Sequence, residues 1–334
     1  MLKYILKRIL MVIPVLLGVT VIIFLITRVL APDPAPVVLG EHATTEAMAA
    51  WRADNGLDDP IWLQYINFIV GALQGNLGTS YYTHQPVTAE IAARFPATAE
   101  LAICAIIVAS IVGVALGVLA AVKKNKAADN VSMLIALVGV SMPIFWSGIL
   151  LILLFSGILH WLPSSGRVSP LLQPSGGTGF FILDTIMQGN WAGLADVLVH
   201  LILPTLALSL YSMAIITRMT RSSMLETLNA DYIRTARAKG LSKGSVNIKH
   251  ALRNALVPIV TVIGMQIPVL FGGAVIVEQL FSWPGLGLMT MSAILNRDYP
   301  VIMGVCLLSA VVVLLANLVT DIVYAVVNPA IQYD

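Results

Sequence analysis

The side chains able to do chemistry in this 334-residue sequence gather in one basic stretch. Residues 218–253 hold Arg218, Arg221, Arg234, Arg237, Lys239, Lys243, Lys249 and Arg253, with Asp231, Tyr232 and His250 among them. Asn229 or Asp231 can cap a helix start, residues 232–239 are good helix formers, and Gly240 can close the turn. On that helix Arg234 and Arg237 fall near one face, while Ile233 and Ala236 share another. It is too polar to enter lipid. A small-residue face flanked by positive charge suits docking into a cleft of another protein. A solvated basic loop attracted to anionic headgroups fits the same composition.

Ionisable groups elsewhere are sparse. Glu278, Asp321 and His200 lie toward the ends of long apolar runs. There a charge can meet headgroups, water or a backbone partner, and a pathway or gate role for Glu278, Trp283 and Asp321 is the alternative. Trp161, Trp191 and Trp283 also sit near run ends, where amphipathic rings favour the membrane interface. Cys104 and Cys306 sit inside apolar runs with no CxxC and no Cys/His cluster, so they read as packing residues rather than metal ligands or a disulfide. No phosphate-binding Gly-x4-Gly-Lys-Ser/Thr occurs, and the Gly-rich run from Ser175 to Gly179 lacks the lysine. Neither His-Glu-x-x-His nor Gly-x-Ser-x-Gly is present. The chain is therefore expected to carry no catalytic site, metal or cofactor, and to bind no nucleic acid.

The elements that position these residues follow from the solvent. Apolar residues make up 58% of the chain and charged residues 11%, with mean hydropathy +0.90. Ordinary soluble domains carry roughly 25% charge, so lipid must solvate much of this surface. Six runs, 9–27, 101–122, 131–159, 197–217, 255–277 and 301–320, each reach the ~20 residues that cross a bilayer. An all-α integral membrane protein with six transmembrane helices is expected. The first run is too long for a signal peptide and lacks a small-residue cleavage site, so it is kept as a helix. Gly113-x-x-x-Gly117 reads as close helix packing, and Pro143, Pro204, Pro258 and Pro268 can kink or break their spans.

Charge asymmetry orients the spans. The N-terminus, the loop with Lys123, Lys124 and Lys126, and residues 218–253 hold 14 of the 19 basic residues on one side. By the positive-inside rule that side, with both termini, is cytoplasmic. The expected organisation is an N-terminus and first span at 1–30, a periplasmic segment at 31–100, and a core at 101–334 with its cytoplasmic loop at 218–253. The segment 31–100 is too long for a bare connection and is expected to fold over the outer mouth.

The run Tyr232-Ile233-Arg234-Thr235-Ala236-Arg237-Ala238-Lys239-Gly240, followed by His250-Ala251-Leu252-Arg253, resembles the cytoplasmic signature of binding-protein-dependent ABC importer permeases. Arg234-Thr235-Ala236 occupies the Glu-Ala-Ala position, Gly240 the glycine, and Leu252 matches, while His250 and Arg253 replace Ile and Pro. The Glu and Pro departures are those of the dipeptide/oligopeptide permease subfamily. Motifs from Arg94 to Leu101, Ser141 to Trp146, Phe281 to Gly287 and Arg297 to Pro300 agree in order and spacing. The resemblance covers essentially the whole chain.

It implies a type I ABC importer permease fold and a dipeptide or short-peptide importer. This chain would form half of the pathway, beside a second homologous permease. Two cytoplasmic ATPase subunits and a periplasmic peptide-binding protein would complete the machine in the bacterial inner membrane. The residues around Ala236 and Gly240, from Asp231 to Gly240 with His250 and Arg253, would couple to the ATPases. Other cargo, such as nickel chelates, glutathione or haem-like molecules, stays open. An energy-independent channel and a membrane-embedded enzyme are further alternatives.

Overall fold

The structure is a computed structural model and describes residues 2–40 and 42–327, with side chains for 10–40 and 42–320. Helices make up the regular structure, and only an isolated bridge between Thr79 and Pro86 is sheet-like among the described residues. Five helices are long and apolar enough to cross a membrane: Leu10–Leu30, Val87–Val122, Trp191–Leu228, Ser245–Leu280 and Tyr299–Thr320. A sixth candidate is a pair, α6 (Ala127–Ser141) and α7 (Ile144–Leu151, continued as a π-helical stretch to Ile158), bent by 111°. The break falls at Pro143, and Met142 before it is extended, as the ring of a following proline demands. Pro204, Pro258 and Pro268 sit inside continuous helices instead.

The chain forms two compact units, divided near Thr98, Pro284 and Leu314. The first holds α1 (Leu2–Leu25, continued by a π-helical turn at Ile26–Leu30), α2 (Ala35–Leu39), α3 (Thr45–Asp54) and α4 (Ile61–Leu73). The start of α5 (Val87–Val122), all of α12 (Leu286–Leu295) and the start of α13 (Tyr299–Val327) complete it. The apolar run that begins at residue 101 is thus only part of a helix begun fourteen residues earlier, whose Val87 and Ile91 pack with Leu286, Met289, Val301 and Val305. The loop before α2 is tied down by hydrogen bonds. Asp33 accepts from Ala35 N at 3.0 Å and from Arg52 Nε at 3.0 Å, and Tyr299 Oη donates to the Pro32 carbonyl at 2.6 Å.

The segment expected to fold over the outer mouth contains an apolar helix, α4, laid along α1. Phe24 meets Tyr65 edge-on at 5.2 Å and stacks with Phe68 at 6.4 Å, and the Thr20 and Tyr65 hydroxyls share a hydrogen bond of 3.0 Å. Trp62, Ile66, Val70 and Leu73 stay exposed on the other face. At 13 residues α4 is about 20 Å long, too short to cross a bilayer alone.

The second unit is built around α9 (Trp191–Leu228), which packs against α6, α7, the short α8 (Phe181–Met187) and α11 (Arg253–Leu280). The approach is close because both surfaces are small. A Cβ placed at Gly117 of α5 would lie 2.7 Å from the Thr217 carbonyl oxygen, and one at Gly139 of α6 would lie 2.9 Å from that of Leu210. Along α9 Ser209, Ser212 and Thr217 are buried. Ser209 and Thr217 return their hydroxyls to α9 carbonyls, and Ser212 donates to Gln266 Oε1 on α11 at 3.1 Å. Lipid gives no hydrophobic drive for helix association, so such close van der Waals packing and interhelical bonding must supply it.

Candidate functional site

Helix α9 closes at Asn229, and one extended residue, Ala230 (φ −70, ψ 150), turns the chain into α10 (Asp231–Ala238). No side chain caps this start. Asn229 instead ends α9, and Asp231 is the first residue of α10, where its charge complements the helix N-terminus. This corrects the expectation of an Asn229 or Asp231 cap. Asp231 also pairs with Arg234 at 3.3 Å, on an exposed surface where such a pair contributes little.

The two faces of α10 sort as their spacing predicts, but the small-residue face is used inside this chain. Ile233 is fully buried and Ala236 nearly so, in a cluster with Ala121 of α5, Met224 of α9, Val246, Ala251, Ala255 and Ile259. What faces outward is Tyr232, Arg234, Thr235, Arg237, Ala238 and Lys239. Burying Ile233 alone stabilises the seat by roughly 1.5–3 kcal/mol.

Gly240 ends α10 with φ +76. Its N–H donates to the Arg237 carbonyl at 3.0 Å, and Leu241 N–H donates to that of Ala236 at 3.4 Å. This is the Schellman pair of bonds, which needs a left-handed residue at that position. A side chain at Gly240 would meet nothing within 4 Å, so its cost is backbone strain rather than a clash. The chain then runs through a π-helical stretch (Ser245–Leu252) straight into α11. His250 on that stretch is half-buried and Arg253 is exposed. Beside α10 lies a cleft of about 570 Å³ lined by Val122, Leu228, Arg237, Leu241, Lys243, Val246 and Asn247.

Two ion pairs, one fully buried and one in which Asp129 is buried and Arg221 partly exposed, hold the second unit around this platform. Arg221 of α9 grips Asp129 of α6 with Nε at 2.7 Å and Nη2 at 2.9 Å, and Asp129 also accepts from Asn125 N at 2.9 Å. This fixes the lysine-bearing turn between α5 and α6 against α9. Toward the other end of α5, Glu100 accepts from Arg167 at 3.1 and 2.6 Å and from Ile182 N in the first turn of α8 at 2.8 Å. Arg167 donates to the Gly179 carbonyl at 2.8 Å, and its guanidinium lies 3.8 Å from the centre of the Phe181 ring. Burial is the largest influence on Arg167 and draws its pKa below the usual arginine value, against the pull of Glu100 and Asp184. Sequence reasoning named Arg221 in the basic stretch and covered Glu100 in the Arg94–Leu101 motif, but it found neither pairing. The partners are 67 and 92 positions apart, and only their types, lone charges beside apolar runs, could have pointed to them.

Of the pathway or gate candidates, Glu278 and Trp283 are both fully buried within this chain. Trp283 packs 5.7 Å from the Arg167 guanidinium. Trp161 and Trp191 are exposed, as an interfacial role requires. Asp321 falls within α13, but its side chain lies outside the described residues. His200 Nδ1 is 2.9 Å from the Asp196 carbonyl oxygen, a local contact within α9.

Long apolar helices carrying a short amphipathic helix on one polar loop define a multi-pass membrane protein. Residues 113–333 match the family model described as "Binding-protein-dependent transport system inner membrane component". Residues 1–102 match the model for the N-terminal part of such membrane components. The chain belongs to this family of inner-membrane permeases of ABC transporters.

It is 46% identical over 339 residues to the dipeptide transport system permease protein DppB of Escherichia coli (strain K12), covering 100% of this chain and 99% of that one. It is also 46% identical over 333 residues to the protein of that name from Alkalihalophilus pseudofirmus, covering all of both chains. The glutathione transport system permease protein GsiC of Salmonella choleraesuis is 42% identical over 333 residues, again covering both chains fully.

Breaking the Glu100–Arg167 pair from one side leaves a buried charge without its partner. Glu100→Gln is expected to destabilise the protein by about 3–5 kcal/mol. Glu100→Gln combined with Arg167→Met should lose less than the two single losses added together. Thermal melting of the purified protein in detergent checks this, and an additive double mutant would mean the pair carries no coupling.

Proposed function

We propose that this chain imports dipeptides or other short peptides as one of two permease subunits in an ATP-driven machine. A second, homologous permease completes the pathway, two ATPase subunits supply the energy, and a periplasmic binding protein delivers the peptide. This chain needs no cofactor of its own. The dipeptide permeases at 46% identity support peptide as the cargo. The glutathione permeases, only slightly less similar, support glutathione as the second reading. Family membership leaves an energy-independent channel or a membrane-embedded enzyme without support.

The observation that carries the mechanism is the seating of α10. Its apolar face is joined through Ile233 and Ala236 to α5, α9 and α11, and its polar face is free. An ATPase gripping Tyr232, Arg234 and Arg237 would therefore move three spans at once. Asp231, Thr235, Ala238 and Lys239 complete the contact, and Gly240, His250 and Arg253 set the path from α10 into α11. ATP binding draws the ATPases together and rocks these spans; hydrolysis resets them. No covalent chemistry on this subunit is required.

The basic asymmetry supports a topology with both termini, the turn at Lys123–Lys126 and residues 218–253 in the cytoplasm, and residues 31–100 outside. Thr44 and Ser242 are both exposed, so single cysteines there report sidedness rather than burial. In a background lacking Cys104 and Cys306, an impermeant thiol reagent on intact spheroplasts should label the cysteine at Thr44 and spare that at Ser242. Equal labelling would refute the orientation.

Gly240→Ala costs about 1 kcal/mol at a left-handed position, and a β-branched residue costs more. Gly240→Val should insert and pair with its partner permease, because spans satisfy their backbone bonds internally. Peptide-stimulated ATPase activity of the reconstituted complex should fall on the order of tenfold, equivalent to ~1.4 kcal/mol of lost coupling. Wild-type ATPase attachment, stimulation and uptake would show that α10 is only a basic connector.

A further inference from the structure

The end of α1 that the proposed topology places outside carries an arginine with two buried donors that are not used. Nε and Nη1 of Arg28 are buried, and no protein group accepts a hydrogen bond from either. Its side-chain hydrogen-bonding neighbour is Tyr81. Arg28 lines two cavities. One, of about 220 Å³, is also bounded by Phe24, Asn55, Gln64, Asn67 and Asn76, with the exposed Asp59 at its edge. The other, of about 340 Å³, is bounded by Asp33, Arg52, Gln64 and Tyr299. Asp33 is occupied by Arg52, so it does not neutralise Arg28. A guanidinium with two desolvated, unpaired donors is costly, and its planar fork matches a phosphate or carboxylate. The Asn67 and Asn76 amides add neutral donors for the same oxygens, whereas Gln64 Nε2 already donates to the Leu57 and Asp59 carbonyls.

A third cavity, of about 320 Å³, lies further along α1, α4 and α13 and is almost wholly apolar. It is lined by Ile13, Leu17 and Thr20 of α1, Ile69 and Ala72 of α4, and Leu307 of α13. The two chemistries share helix faces. On α1 residues 13, 17, 20, 24 and 28 recur at three- and four-residue steps, and on α13 residues 300, 303, 307 and 311 do the same. Phe24 and Phe68, which meet in a ring cluster with Tyr65, line the polar cavity, and Thr20, about one turn before Phe24 on α1, lines the apolar one. From residue 13 to residue 28 the rise is about 22 Å, close to the depth of one leaflet with its headgroups.

We propose that this seam binds one phospholipid, its phosphodiester held by Arg28 and an acyl chain lying between α1, α4 and α13. A soluble anion would use the polar cavity and leave the groove unexplained. The exposed apolar stripe of α4 keeps that helix against lipid, where the groove can fill laterally.

The test uses the complete transporter complex in detergent, supplied with phosphatidylglycerol, with retained lipid counted by native mass spectrometry. Wild type should retain it, and Arg28→Gln should reduce retention on the order of tenfold, as loss of charge-assisted bonds implies. Ala72→Trp, which fills the groove without touching Arg28, should reduce it too. Arg28→Lys should keep part of it, and it preserves the test if Arg28→Gln fails to assemble. Retention unchanged in both Arg28→Gln and Ala72→Trp would overturn the proposal. So would loss on Arg28→Gln alone together with displacement by millimolar inorganic phosphate or dipeptide, because that describes a soluble-anion site.

Discussion

Lipid hydrocarbon offers no hydrogen bonds and little tolerance for charge, so whatever polarity this chain takes inside must arrive with its partner. The second unit is organised by that demand. Arg221 and Asp129 satisfy each other between α9 and α6, and Glu100 and Arg167 do so between α5 and the loop before α8. Neither pair is a cheap source of stability, since desolvation consumes much of the attraction. What each provides is a single permitted register. Glu100 shows this best, because its second oxygen also receives the first turn of α8 and so fixes where the 160–180 loop returns to the bundle.

The same demand bears on how the short helix α10 would act on the bundle in the proposed mechanism. Small residues let α5 and α6 lie close to α9, and close packing transmits displacement rather than absorbing it. Ile233 and Ala236 extend that packing into α10, so the helix is an outgrowth of the core with one polar face left over. The Schellman turn at Gly240 then directs the chain into α11 without a flexible linker. In the proposed mechanism the ATPases supply force, and this continuity of packing carries it to the spans.

Much of this was legible in the sequence. Long apolar runs, the basic loop, the two faces of α10 and the left-handed Gly240 all follow from local rules of length, period and turn chemistry. Failures cluster where tertiary partners decide. Ala230 starts α10 without a side-chain cap because the seat formed by Met224 and Val246 holds the helix in place. Trp283 reads as an interfacial ring by position, yet packing beside Arg167 buries it completely. Pro143 breaks its span while Pro204 does not, and composition alone does not separate the two. The apolar character of α4 is legible in residues 61–73, while its seat along α1 depends on Phe24 and Thr20 far away in sequence.

The central claim is that the outward face of α10 receives an ATPase while its inward face belongs to this chain. Site-directed cross-linking in the assembled complex tests it most directly, with single cysteines at Ala238, which is exposed, and at Ala236, which is buried. The account predicts an adduct between the ATPase and the cysteine at Ala238, with a yield that changes when nucleotide binds, and none from Ala236. An intact complex giving no adduct from Ala238, or equal adducts from both positions, would contradict it.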